Sequence, residues 1–83
     1  ALVLQANFLF RGSILENLRY DRPLISEDEI RLAMRALGCD EKFRSMPDGY
    51  ETDVGEGGSA LSLGERQLIC FARALLRNPR VLL

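Results

Sequence analysis

The stretch Gly57-Gly58-Ser59-Ala60-Leu61-Ser62-Leu63-Gly64-Glu65 holds the residues of this chain best suited to chemistry. Ser62 and Glu65 form a Ser-x-x-Glu pattern just ahead of a long half-apolar run. A helix N-terminus presents unpaired N–H groups and a partial positive charge, so it is a ready site for phosphate. Glycines beside it let a ligand approach the backbone closely. The Ser62 hydroxyl has two possible uses there. It can donate to a phosphate oxygen, or it can accept a backbone N–H and cap its own helix. The same box recurs at Ser13–Glu16 and Ser26–Glu29 without a glycine-rich lead-in, so plain capping stands beside the phosphate reading.

Other chemistries are excluded early. The chain has no histidine and no Cys-x-x-Cys, which argues against a zinc site and against His-based catalysis. Cys39 and Cys70 lie 31 positions apart and read as two buried thiols rather than a disulfide. Net charge is −1, with no basic excess to drive nucleic-acid binding. The charge is unevenly placed, however. Residues 21–61 carry five basic and ten acidic side chains, and residues 62–83 carry four arginines against Glu65. Both read as solvated helix faces. No apolar run reaches the roughly 18 residues that suggest a membrane span. A hydrophobic content of 47% fits a folded domain, and 83 residues suffice for one small one.

The elements that must position Ser62 follow from periodicity and caps. Ser13–Glu16 opens a short helix to about Tyr20, ended by Pro23. Ser26–Glu29 opens a second, with Ile30, Ala33, Met34 and Leu37 on one face and Gly38 just past its end. A short helix is expected from Asp40 to about Ser45. Residues 46–60 hold five glycines or prolines and read as a loop long enough to be functional. The third box starts a helix running to about Asn78, with Leu68, Ala72, Leu75 and Leu76 on one face and Arg73 and Arg77 near its end. Pro79 stops it. Residues 1–4, "ALVL", and 80–83, "RVLL", read as buried strands cut from a larger sheet, so a fragment is expected.

The run "TDVGEGGSALSLGERQLICFARALLRNPRVLL" resembles the signature region of ABC-transporter nucleotide-binding domains. That family carries Leu-Ser-Gly-Gly-Gln, then Arg-Gln, then Ala-Arg-Ala-Leu and Asn-Pro. The matching residues here are Leu61 to Glu65, Arg66-Gln67, Ala72 to Leu75, and Asn78-Pro79. "TDVGEGG" is similar to the exporter-type loop before the signature, with Glu56 at its acidic position. "VLQANFLFRGSILENL" is similar to the exporter Q-loop, with Gln5 at the glutamine position. Three motifs in the family's order cover almost the whole chain.

The resemblance implies a mainly α chain, the helical subdomain of a P-loop ATPase whose full domain is α/β, with short terminal strands at most. It implies three parts: 1–12, strand and Q-loop; 13–61, helical subdomain and pre-signature loop; 62–83, signature helix and start of the Walker B strand. Ser62, Leu63, Gly64 and Glu65 would meet ATP held by a second nucleotide-binding domain. Gln5 would sense Mg²⁺ and water. Phe8, Leu9, Phe10, Arg11 and Glu56 would contact the coupling helices of a transmembrane domain. The parent protein would then be a transport ATPase on the cytoplasmic side of a membrane. This segment holds no GxxxxGK[ST] P-loop, so it would not hydrolyse ATP alone. Two residues depart from the motif: Leu63 replaces the first glycine, and Glu65 replaces the glutamine. Leu63 keeps its N–H if that position needs no positive φ, and Glu65 can turn back as a cap. A degenerate half-site of an asymmetric transporter is the rival within the family. An independent helical interaction module is the rival outside it.

Overall fold

The computed structural model describes residues 8–20 and 22–77. The expected strands at 1–4 and 80–83, Gln5, and the Asn78-Pro79 helix stop lie outside the described residues. Four helices follow in order: α1, Ile14–Leu18; α2, Glu27–Ala36; α3, Asp40–Arg44; and α4, Leu63–Arg77. Single 3₁₀ turns occupy Gly49–Glu51 and Glu56–Gly58. There is no strand among the described residues, only an isolated antiparallel bridge between Ser13 and Asp53. The mainly helical expectation holds.

Local rules account for the helix ends. At α1, Ser13 Oγ accepts the Glu16 N–H and the Glu16 carboxylate accepts the Ser13 N–H, a complete capping box. α1 ends at Leu18, with Arg19 and Tyr20 in the turn beyond. At α2 only the serine half of the expected box forms: Ser26 Oγ accepts the Glu29 N–H at 3.1 Å. Glu27, Asp28 and Glu29 crowd that first turn, where the helix dipole favours negative charge without a specific bond. Gly38 sits at φ +74°, the left-handed position that terminates α2. The Gly38 N–H then reaches Arg35 O and the Cys39 N–H reaches Met34 O, both at 2.9 Å. This is a Schellman motif, and it lets α3 begin two residues later.

α4 packs against both α1 and α2. Ile14, Leu18, Ile30, Met34, Phe43 and Ile69 fill the centre and are essentially inaccessible to solvent. Of the expected face of α4, Ala72, Leu75 and Leu76 are buried and Leu68 only borders the core, while Ile69, Cys70 and Arg73 are buried beside them. The expected solvated face of 62–83 is corrected accordingly: Arg73 is only 2% exposed. Cys39 and Cys70 are buried and unbridged, and burial pushes both thiols above their ordinary pKa.

The loop after α3 is pinned to the start of α1. Ile14 N–H donates to Thr52 O and Val54 N–H to Gly12 O, which seats Val54 inside the core. The turn at Gly58 is held still more tightly. Its φ is +84°, and a Cβ there would come within 2.9 Å of Leu9 and 2.7 Å of the Arg66 stem. Only glycine fits between those two side chains.

Asp40 ties α2, α3 and the turn after them together. It is buried, and its carboxylate accepts a hydrogen bond from the Tyr50 hydroxyl. Arg44 Nε lies 3.0 Å away, and Arg35 and Arg31 stand at 3.6 and 3.7 Å. The last two are beyond hydrogen-bond reach and act through charge alone. Burial by itself raises the Asp40 pKa, but Tyr50 and then Arg44, Arg31 and Arg35 outweigh it and hold the carboxyl below its ordinary value. The folded pKa thus lies below the unfolded value of about 3.9. The resulting stabilisation is full above that pH and is lost as pH falls through the folded pKa. The urea midpoint of the chain is expected to drop on acidification below about pH 4. In Asp40→Asn the midpoint at neutral pH is expected to be lower, and this part of the acid dependence to disappear. An unchanged acid profile in the variant contradicts the assignment.

Candidate functional site

Two features dominate the surface, and α4 connects them. The first is its own N-terminus. Ser62 Oγ accepts the Glu65 N–H at 3.1 Å, and Glu65 Oε1 accepts the Ser62 N–H at 2.9 Å. The third capping box is complete. Glu65 is therefore folded back along its own helix start. Ser62, Leu63 and Gly64 are exposed. The N–H groups of Leu63 and Gly64 have no acceptor among the described residues. These are the orphan donors of a helix start, and they face outward.

Capping and ligand binding do not compete at Ser62. A hydroxyl carries two acceptor lone pairs and one donor. The cap uses a lone pair, and the proton remains available. Leu63 lies in helical conformation without positive φ, so the replacement of glycine there carries no backbone strain. Among the described residues, nothing beyond its own helix turn comes within 4 Å of where a Cβ on Gly64 would stand, so none of them requires glycine there.

The second feature is an aromatic patch. Phe8, Phe10 and Tyr20 are 49%, 37% and 48% exposed and lie together, whereas the also exposed Phe71 is not in ring contact with them. Phe8 and Phe10 meet edge to face at 4.9 Å, and Phe10 and Tyr20 are 4.5 Å apart. Exposed apolar clusters of this kind mark contact surfaces. Arg11 and Glu56 come together beside this segment, 3.6 Å apart and both well exposed. An exposed pair of this sort adds little stability. Leu9 differs from its neighbours: it is buried against Gly58, so its side chain belongs to the core. A cleft of about 370 Å³ joins the two features, with Phe8 and Leu9 on one side and Leu63, Arg66 and Gln67 on the other.

Beneath the patch lies a polar centre whose role the sequence did not disclose. Asn17 and Arg73 are 1% and 2% exposed. Arg73 donates to Asn17 O at 3.0 Å, to Asn17 Oδ1 at 3.1 Å and to Phe8 O at 2.9 Å. Its guanidinium also lies 5.2 Å from the Tyr20 ring centre and 5.8 Å from that of Phe10. Asn17 Oδ1 further accepts the Phe10 N–H at 2.7 Å, and Asn17 Nδ2 donates to Phe10 O and Ser13 O. The amide uses both donors and accepts twice, its full capacity. The available signal was the stripe Ile69, Ala72, Leu76, whose period includes position 73.

A family model described as ABC transporter matches residues 1–83. The chain belongs to the ABC transporter family. It is 48% identical over 83 residues to the uncharacterized ABC transporter ATP-binding protein YknV of Bacillus subtilis, covering all of this chain and 14% of that protein. It is 44% identical over 82 residues to a fatty acid ABC transporter ATP-binding/permease protein of Mycobacterium bovis, of which it spans 13%. In structure it matches a bacterial Atm1-family ABC exporter with ATP bound, with a TM-score of 0.81 and 36% identity. That match covers 89% of this chain and 13% of the other. This member of the ABC transporter family is thus a part of an ATP-binding domain with exporter-type relatives. The reading as an independent helical interaction module is set aside by the match over the whole chain.

The geometry of the capping box makes the side chains at the α4 start separable by stability. Ser62→Ala removes the cap and is expected to cost about 1 kcal/mol. Glu65→Gln keeps an acceptor oxygen for the Ser62 N–H and is expected to stay within about 0.5 kcal/mol. Urea unfolding of the variants checks both. Equal losses from the two would contradict the box.

Proposed function

We propose that residues 61–65 form the signature of an ABC exporter ATPase and clamp ATP held by a second nucleotide-binding domain. The observation that carries this reading is the open start of α4. Leu63 and Gly64 offer N–H groups unpartnered among the described residues, Ser62 retains a hydroxyl proton, and a Cβ at Gly64 would meet nothing there beyond its own helix turn. The helix behind them is 15 residues long, enough for a full dipole at its N-terminus. These donors suit a tetrahedral anion approaching along the helix axis. When bound, MgATP supplies the phosphoanhydride whose terminal phosphate these groups would meet. Glu65 stays out of its way because its carboxylate is engaged with the Ser62 N–H.

Gln5 takes the Q-loop role on the strength of its sequence position. Phe8, Phe10, Arg11 and Glu56 form the surface that docks on the coupling helices of the transmembrane domain. Their exposure supports this, and Tyr20 joins them. Leu9 supports the same surface from beneath. The whole protein would couple ATP binding and hydrolysis to export.

Gly64→Ala separates stability from function. At an ordinary helical position with free space, the added methyl is expected to be neutral or to stabilise the fold by up to about 1 kcal/mol. In the full-length transporter it is expected to lower ATP hydrolysis at least tenfold, because the methyl stands where the phosphate approaches. Wild-type hydrolysis in a stable Gly64→Ala protein would overturn the clamp. Glu65→Gln in the same protein is expected to change nucleotide affinity less than tenfold, as a cap that remains a cap. A much larger gain in equilibrium nucleotide binding would show that the Glu65 charge opposes ATP.

A further inference from the structure

Arg73 makes an unusual set of contacts for a residue on an amphipathic helix. Each of the three donor nitrogens of its guanidinium bonds an atom of the segment that carries the aromatic patch: Phe8 O, Asn17 O and Asn17 Oδ1. Through Asn17 the same group is one bond from both backbone groups of Phe10. The guanidinium also lies near the Phe10 and Tyr20 rings from the protein side. The exposed patch and the buried arginine therefore form one unit.

The other end of α4 is tied to the same segment. Gly58 packs with no spare room between Leu9 and the Arg66 stem, and Glu56, two residues earlier, pairs with Arg11. The stretch from Phe8 to Tyr20 thus holds α4 directly at Arg73, and meets it a second time at Arg66 through the intervening Gly58. Those points are about 10 Å apart along the axis at 1.5 Å per residue, and Ser62 lies about 6 Å beyond Arg66. A helix held at two points moves as a rod with the segment that holds it. Displacement of the patch must carry the N–H groups of Leu63 and Gly64 with it.

We infer that Arg73 is a positioning residue that latches the aromatic patch to α4, so that docking of the patch sets the position of the phosphate-facing helix start. The inference rests on the docking role proposed for Phe8 and Phe10. Asn17 is the receiving half of the latch. A lysine at 73 keeps the charge and much of the stem but has a single nitrogen, which cannot span Asn17 O, Asn17 Oδ1 and Phe8 O together.

The test uses the full-length protein in lipid nanodiscs, as wild type, Arg73→Lys, Phe10→Ala and the double variant. Two quantities are read: hydrogen exchange of backbone amides without nucleotide, and the kcat and KM for MgATP. Arg73→Lys is expected to raise exchange at least tenfold both in residues 8–20 and at 66–69, leaving 30–36 in α2 within twofold. It is expected to lower kcat at least fivefold with KM within twofold. Phe10→Ala is expected to lower kcat similarly, and the double variant to be no worse than twofold below either single. If the two effects multiply instead, the patch and Arg73 act independently and the latch is wrong, while docking stands. If Phe10→Ala leaves kcat unchanged, the docking role fails and the latch falls with it. Exchange raised equally in α2 would mark Arg73 as a fold residue only and overturn the latch. Should Arg73→Lys not accumulate, Asn17→Ala removes the side-chain acceptor of Arg73 together with the donors to Phe10 O and Ser13 O, and enters the same cycle with the same expected outcomes.

Discussion

A cation in the core must be met by acceptors, and Arg73 organises this structure by that requirement. A buried charge left without partners costs several kcal/mol, about 3–5 when one member of a buried pair is removed. A domain of this size holds only about 5–15 kcal/mol of stability in total. The chain therefore has to deliver acceptors to Arg73, and it does so with the Phe8–Tyr20 segment. Asn17 supplies two of them and also fixes Phe10 and Ser13. The path of residues 8–13, which have no regular secondary structure of their own, is shaped by this demand.

The same economy operates at the α4 start. The four first N–H groups of a helix need acceptors or solvent. Ser62 Oγ satisfies that of Glu65, and the Glu65 carboxylate satisfies that of Ser62. The two in between, at Leu63 and Gly64, are left outward. Capping the helix and leaving outward donors are thus compatible, because the cap uses acceptors and leaves these donors to solvent. Glu65 illustrates the point: as the third residue of the helix it serves the cap, and its charge is directed back to the Ser62 N–H.

The Asp40 centre shows a second way to hold a buried charge. Here the anion is inside, and three arginines reach it from α2 and α3 with Tyr50. Their guanidinium groups stay partly in water, so only the carboxylate bears the full cost of burial. The two ionic centres sit in different parts of the fold: Asp40 fastens α2, α3 and the loop behind them, and Arg73 fastens α4 to the entry segment. Both replace what the acid-rich and arginine-rich stretches suggested as solvated faces.

The sequence by itself determined the local structure. Ser13, Ser26 and Ser62 start helices, Gly38 ends one, and Asp40 begins a fourth, because caps and turns are decided by neighbours in the chain. The open start of α4 was readable for the same reason, and the motif order along the chain was enough to point to the ABC transporter family. Two things were decided only in three dimensions. One is the register of α4: Leu68 and Ile69 are equally apolar, and only packing against α1 and α2 chose Ile69 for the centre. The other is the use of Arg73 and Asn17, whose donors and acceptors meet across 56 residues of chain. Charge alone assigns an arginine to water. Only the tertiary structure brings it the acceptors that make burial favourable, and with them the link between the aromatic surface and the helix start.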